Sequence, residues 1–158
     1  MTPSSAASLA RIGALLTILT LPSTVSASLG GNTSSVDADR VHAQGALMRI
    51  VRSDTYALHE IRSATGTTIR EYVNSSGTVF AVAWQGPWMP DLRQVLGDRF
   101  VQYQAALQAN QRARRGRGAV VIDQPDLVVQ ISGHQRAFTG RAYVPALLPA
   151  GVQLDAIR

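Results

Sequence analysis

Two short gaps, each ending in glycine, constrain this chain more than any other feature. Ala64-Thr65-Gly66 and Ser75-Ser76-Gly77 separate three runs rich in β-branched and aromatic residues, TYALHEIRS, TTIREYVN and TVFAVAW, between Thr55 and Trp84. A three-residue hairpin loop combines a type I turn with one residue in the left-handed region, which glycine enters without steric penalty. The pattern predicts an antiparallel meander of set register. Across the first turn Glu60 faces Arg70, Ile61 faces Ile69, His59 faces Glu71 and Leu58 faces Tyr72. Across the second, Val73 faces Val79, Tyr72 faces Phe80 and Arg70 faces Val82. A two-residue first loop would instead oppose Glu60 and Glu71, like charges that destabilise a ladder.

Alternation along a strand then gives the meander two faces. One carries the small set Ala57, Ile61, Ile69, Val73, Val79, Ala81 and Ala83, suited to close packing by a helix. The other carries Tyr56, Leu58, Tyr72, Phe80, Val82 and Trp84, interrupted by Glu60 and Arg70. We expect the second face to be covered as well, since large aromatics are mostly buried. If it is open, Tyr72, Phe80 and Trp84 form a surface for a partner.

The remaining segments complete an α+β expectation: antiparallel β-meanders packed with a short N-terminal helix and a longer central helix. Ser28 to Ser35 reads as a flexible polar leader. Ser35 caps the short helix, Asp37 and Asp39 lie in its first turn, and Gly45 ends it. Leu47 to Val51 reads as a short strand, and Gln85 to Pro90 as a turn-rich connector. Leu92, Val95, Leu96, Phe100, Tyr103 and Leu107 recur at helical spacing, with Gly97-Asp98 dividing the helix. Gln111 to Gly118 reads as an arginine-glycine loop. A second β section follows over 119–122, 127–131 and 136–144, broken at Asp123–Asp126 and at Ser132-Gly133-His134. The tail from Pro145 keeps Leu147, Leu148, Val152, Leu154 and Ile157, and should pack.

The first 27 residues have the layout of a secretory signal peptide. Arg11 precedes an acid-free apolar run from Ile12 to Leu21, Pro22 breaks it, and Val25-Ser26-Ala27 offers a cleavage site. The run is too short to span a bilayer, which takes about 20 apolar residues, and no later segment reaches that length. The expectation is export, to the periplasm or beyond, with 28–158 forming one small domain. The charge pattern fits a localised cluster. Of 15 Arg set against 10 acidic residues, Arg11 lies in the leader and Arg112, Arg114, Arg115 and Arg117 lie together, leaving the rest in balance. The chain has no Cys, which rules out disulfides, thiol nucleophiles and cysteine-zinc clusters.

Chemistry-bearing constellations are sparse. His42, His59 and His134 are far apart, without HxH or HExxH spacing, so no metal site is expected. No phosphate-cradling loop occurs in strand-loop-helix context, and no cofactor is called for. His59 and Glu71, cross-strand neighbours in the inferred register, are the one acid-base candidate, since a carboxylate that orients an imidazole serves general-base catalysis. Read as structure, the same two residues are a hydrogen-bonded pair at the sheet margin, and that reading comes first. The arginine cluster could attract an anionic envelope component. Nucleic acid is disfavoured, because no aromatic residue is interleaved with those arginines for base stacking and Tyr103 is the nearest.

The segments SLGG, SVDADR, YALHEI, GTTIREYVNSSGTVFAVAWQGPWMPDLRQVLG, DLVV and RAFTGRAYVPALLPAGV together resemble an uncharacterised exported proteobacterial family catalogued as domain of unknown function 2844. The resemblance covers nearly all of the chain after the leader. It implies an envelope location and a single domain, and it carries no activity or site residues. The leading expectation is an exported binding or envelope-accessory module without catalytic chemistry, its partner an envelope protein or an anionic envelope component. One rival is a small periplasmic hydrolase or isomerase with its site near His59 and Glu71. Another is a structural subunit that pairs through Tyr72, Phe80 and Trp84.

Overall fold

The computed structural model describes residues 29–32, 41, 46–113 and 119–158. Both glycine-ended gaps close as hairpin turns. Gly66 and Gly77 take positive φ values of 89° and 81°. Their amides return to the carbonyls of Ser63 and Asn74 at 3.0 and 2.9 Å. Asn74 tightens the second turn further, its Oδ1 accepting from the Ser76 and Thr78 amides.

These turns join three of the first four strands, β1 (Ala46–Arg52), β2 (Tyr56–Arg62), β3 (Thr68–Asn74) and β4 (Val79–Gly86). The register of β2 on β3 is the expected one, including Glu60 opposite Arg70, His59 opposite Glu71 and Leu58 opposite Tyr72. Arg70 Nε donates to Glu60 Oε2 at 2.8 Å. On β4 the register departs from expectation after its first pair. Val73 opposes Val79, but Tyr72 opposes Ala81, Glu71 opposes Val82 and Arg70 opposes Ala83. Phe80 is thus the extra residue of a β-bulge, and from Ala81 onward every side chain changes face. The placement of Val82 and Trp84 on the aromatic face is corrected accordingly: both lie in the core beneath the helix, and Ala81 and Ala83 take the aromatic side.

The α+β expectation of separate meanders flanked by two helices is corrected too. The second meander, β5 (Val120–Gln124), β6 (Leu127–His134) and β7 (Ala137–Tyr143), joins the first in one antiparallel sheet of order β1-β2-β3-β4-β7-β6-β5. Among the described residues the fold is mostly β, with a central helical region after β4. Ser132-Gly133-His134 does not break the second meander, because β6 runs through to His134. Nearly all residues of the expected short N-terminal helix, over 35–45, lie outside the described residues.

The central helical region has the expected division. Asp91 caps α1 (Leu92–Leu96), its side chain accepting from the Arg93 amide at 2.9 Å. Gly97, at φ 51°, ends that piece, a 3-10 turn over Gly97–Arg99 follows, and α2 runs from Phe100 to Ala113. The helix therefore takes in Gln111, Arg112 and Ala113 of the expected loop. Val95, Leu96, Tyr103 and Ala106 pack on Ile61, Ile69, Val73, Val82, Trp84, Val129 and Ile131 of the sheet. The leader is not free at Leu29. That side chain is buried, its amide bonds to Val95 O, and Gly30 and Gly31 bond to Val79.

On the opposite face the tail packs as expected. Leu147, Leu148, Val152 and Ile157 cover Tyr72, Phe80, Ala81, Ala83 and Tyr143. Short 3-10 turns over Pro145–Leu147 and Leu154–Ala156 shape it.

One contact between β4 and β7 is especially tight. Gly140 opposes Trp84, and a Cβ at 140 would run into the indole ring, with Trp84 Cε2 at 2.5 Å. Gly140→Ala should therefore cost about 1–3 kcal/mol, the usual range for overpacking a filled core. A lower urea midpoint checks this; an unchanged midpoint contradicts the packing of Trp84 on Gly140.

Candidate functional site

His59 and Glu71 are brought together by the β2–β3 register. Glu71 is 1% exposed, on the same face as Ile69 and Val73 and opposite Val82 of β4. His59 is half-buried and opposes Ile50 of β1 on its other side. A substrate arriving from water would meet the histidine and not the carboxylate, which is closed within an apolar face.

The three aromatic candidates do not form one surface. Trp84 lies beneath the helix, 1% exposed. Tyr72 and Phe80 remain on the other face but are sealed by the tail, at 2% and 0% exposure. They cluster with Tyr56, at ring-centroid separations of 5.6 Å for Tyr56–Tyr72 and 6.1 Å for Tyr72–Phe80. Tyr72 ties the tail down: its hydroxyl donates to Ala156 O at 2.9 Å and accepts from the Arg158 amide at 3.1 Å. Burial raises the Tyr72 pKa above its ordinary value, against the opposing pull of the Arg158 backbone and the Arg70 charge.

Of the arginine cluster, Arg112 falls in the last turn of α2, and Arg114, Arg115 and Arg117 lie outside the described residues. His42 lies outside them as well, and His134 is exposed at the end of β6. Among the described residues no group of three or more His, Cys, Asp or Glu could hold a metal.

The most accessible large aromatic belongs to the connector after β4, where the sequence marked only a turn. Trp88 is 58% exposed and Met89 beside it 37%. Nevertheless the backbone beneath them is firmly held. Thr67 is buried, and its Oγ1 donates to Trp88 O at 2.7 Å and accepts from the Trp88 amide at 3.3 Å. Thr67 is fixed in turn by Ser63, whose Oγ accepts from the Thr67 amide at 3.1 Å and whose amide donates to Thr67 O at 2.9 Å. Gly86 permits the approach, since a Cβ there would lie 2.5 Å from Thr67 Cα. Pro87 and Pro90 restrict the chain on either side of the exposed pair. The sequence signal was present: a tryptophan and a methionine between two prolines leave the chain little freedom to turn both inward.

The family model described as Protein of unknown function (DUF2844) matches residues 25–157, and the chain belongs to that family. No curated protein and no solved structure matches it. Among the described residues no helix is long and apolar enough to cross a membrane, which says nothing of membrane β-barrels.

The sealed tyrosine gives a pH dependence with a definite sign. The unfolded chain ionises its tyrosines near the ordinary value of 10.0, while folded Tyr72, and Tyr103 likewise by burial, hold their protons to higher pH. Their contribution is full below about pH 10 and is lost as pH rises through the folded values. Tyr72→Phe should lower stability at neutral pH by about 0.5–1.5 kcal/mol, a typical hydrogen bond, and should flatten the alkaline decline. Urea titrations at pH 7 and at alkaline pH check both. An equally steep decline in the variant contradicts the assignment.

Proposed function

We propose that the chain, as a member of this family of unknown function, is an exported protein of the bacterial envelope that acts by binding a protein partner. Trp88 is its anchor. The single observation that carries this reading is the clamped presentation of an exposed indole, held on both sides of its peptide unit by the buried Thr67 hydroxyl. A residue on a mobile loop must lose backbone as well as side-chain freedom when it binds; one whose backbone is already held by hydrogen bonds and flanking prolines loses less. Tryptophan is also among the residues that most often dominate a protein interface, because its large apolar surface is removed from water on contact. Met89 adds an adaptable apolar neighbour.

The leader pattern over residues 1–27 supports export, with a mature chain that begins at Ser28. Arg112, Arg114, Arg115 and Arg117 add a salt-sensitive attraction to anionic envelope components, as a clustered positive charge does. No covalent step is part of this proposal.

The test uses the full chain expressed with its own leader. The protein recovered from the envelope fraction should begin at Ser28 and co-purify with a specific protein partner. Trp88→Ala should weaken that association by roughly 2 kcal/mol, or about thirtyfold, while the unfolding free energy from urea titration stays within ~0.5 kcal/mol of the parent, as for an exposed position. Trp88→Phe should restore part of the affinity. Partner recovery unchanged by Trp88→Ala contradicts the anchor, and a chain retained in the cytoplasm contradicts the export.

A further inference from the structure

A second accessible feature lies on the tail side of the sheet, distinct from the Trp88 loop. There β5, β6 and β7 meet the end of the tail in an open groove of about 470 Å³. Gln130, Ser132, Thr139 and Arg141 line it, with Val121 on β5 and Arg158 from the tail. Strand alternation explains the set. Val128 of β6 and Tyr143 of β7 face the tail, so Gln130 and Ser132, and Arg141 and Thr139, fall on the same side. The tail's aliphatic cover sits over Tyr72, Phe80 and Tyr143, and the polar end of this face is left as a groove.

Arg141 is its central group, half-buried and held in place. Its Nε donates to Gln130 Oε1 at 2.8 Å, and its Nη1 to Leu154 O at 2.7 Å and Ile157 O at 3.4 Å. All three acceptors are neutral. Arg70, on the same face of the first meander, has its charge met by Glu60 at 2.8 Å, whereas no described carboxylate meets that of Arg141. The guanidinium carries five N–H donors in a planar fork, and those bonds leave Nη2 without a protein acceptor among the described residues. Among the described residues no Asp or Glu lines the groove. The arrangement is a fixed, partly desolvated positive charge with donors to spare, next to the Ser132–Thr139 pair on one side along the ladder and near Val121 of β5.

We infer that this groove binds the carboxylate of a small amphipathic organic acid, with Arg141 as the recognition residue. The Arg141 guanidinium, met by no described carboxylate, suits a negatively charged group, a carboxylate fits the fork geometry of arginine, and Arg158 lines the same groove. Ser132 and Thr139 supply further hydrogen bonds, and Val121, 44% exposed, receives the apolar part of the ligand. The volume falls in the range of small-molecule sites. None of these residues belongs to the Trp88 loop, so the site stands or falls independently of the partner anchor.

The experiment titrates the mature chain with octanoate and follows the backbone amides of Gln130, Ser132, Thr139 and Arg141 by nitrogen–proton correlation spectra. Octanol and inorganic phosphate are the controls. Octanoate should shift these amides saturably and octanol should not. Arg141→Gln should weaken binding roughly tenfold or more, as loss of charge-assisted hydrogen bonds does. Because Arg141 also holds the tail, Thr139→Phe is the second variant. It sits at an exposed strand position, fills the groove, and should abolish binding with the tail resonances in place. Shifts produced equally by octanol, shifts produced by phosphate alone, or octanoate binding unchanged in Thr139→Phe would each overturn the proposal.

Discussion

The pairing of β4 with β7 is the interaction on which the rest of the structure depends. It makes one sheet of two local meanders, matching Ala81 through Gly86 with Tyr143 through Phe138. β4 is buried on both faces from Val79 to Trp84, as its unbroken apolar run VFAVAW requires. The same strand receives the two ends of the fold. Gly30 and Gly31 bond to Val79 at its start, and Val144 donates to Phe80 O as the chain leaves β7 for the tail. The helix covers one side of this strand and the tail covers the other, so neither layer can form in place without it. A chain with no cysteine has only such burial and pairing to hold it together.

The bulge at Phe80 divides the work between those layers. It sends Phe80 and Ala81 together to the tail side and turns Val82 and Trp84 beneath the helix. Trp84 then fits only because position 140 has no side chain. Its indole Nε1 is buried without a hydrogen-bond partner among the described residues, a cost of about 1–3 kcal/mol that the surrounding apolar contacts must exceed. The small residues Ala81 and Ala83 leave room for the aliphatic tail on the other face. The consequence for function is that both broad faces of the central sheet are used internally. Among what the described residues present outward are a tryptophan with a clamped backbone in the β4–α1 connector and a polar groove beyond the end of the tail's cover.

How much of this the sequence disclosed follows from where its residues carried information. The first hairpin was legible because Glu60 and Arg70 attract, Ile61 and Ile69 pair, and the alternative register opposes two glutamates. The second was legible only to its first pair. In VFAVAW every residue is apolar, so alternation cannot signal a one-residue slip, and no glycine or polar residue marks the bulge. The union of the meanders was hidden for a similar reason: β4–β7 contacts are long-range, and Gly140, inside the expected run 136–144, does not disclose its partner until Trp84 is placed upon it. The divided helix was visible in its stripe and in Gly97, and the packed tail in its aliphatic content. For the candidate sites, the sequence pointed to His59 and Glu71 as neighbours but could not show that Glu71 is sealed. It overlooked Trp88, whose significance rests on a hydrogen bond to Thr67, 21 residues away. It overlooked Arg141 as well, whose setting is made by the tail.

The central claim is that the two meanders are one sheet joined through β4 and β7, with the bulge at Phe80 setting which side chains face the helix. Cross-strand backbone nuclear Overhauser effects in the mature chain test it most directly. The account predicts contacts linking Ala81 with Tyr143, Ala83 with Arg141 and Gln85 with Thr139, together with Tyr72 to Ala81 across the bulge. Contacts confined to each meander, with none between 81–86 and 138–143, would contradict it, as would Tyr72 paired with Phe80 in an unbulged ladder.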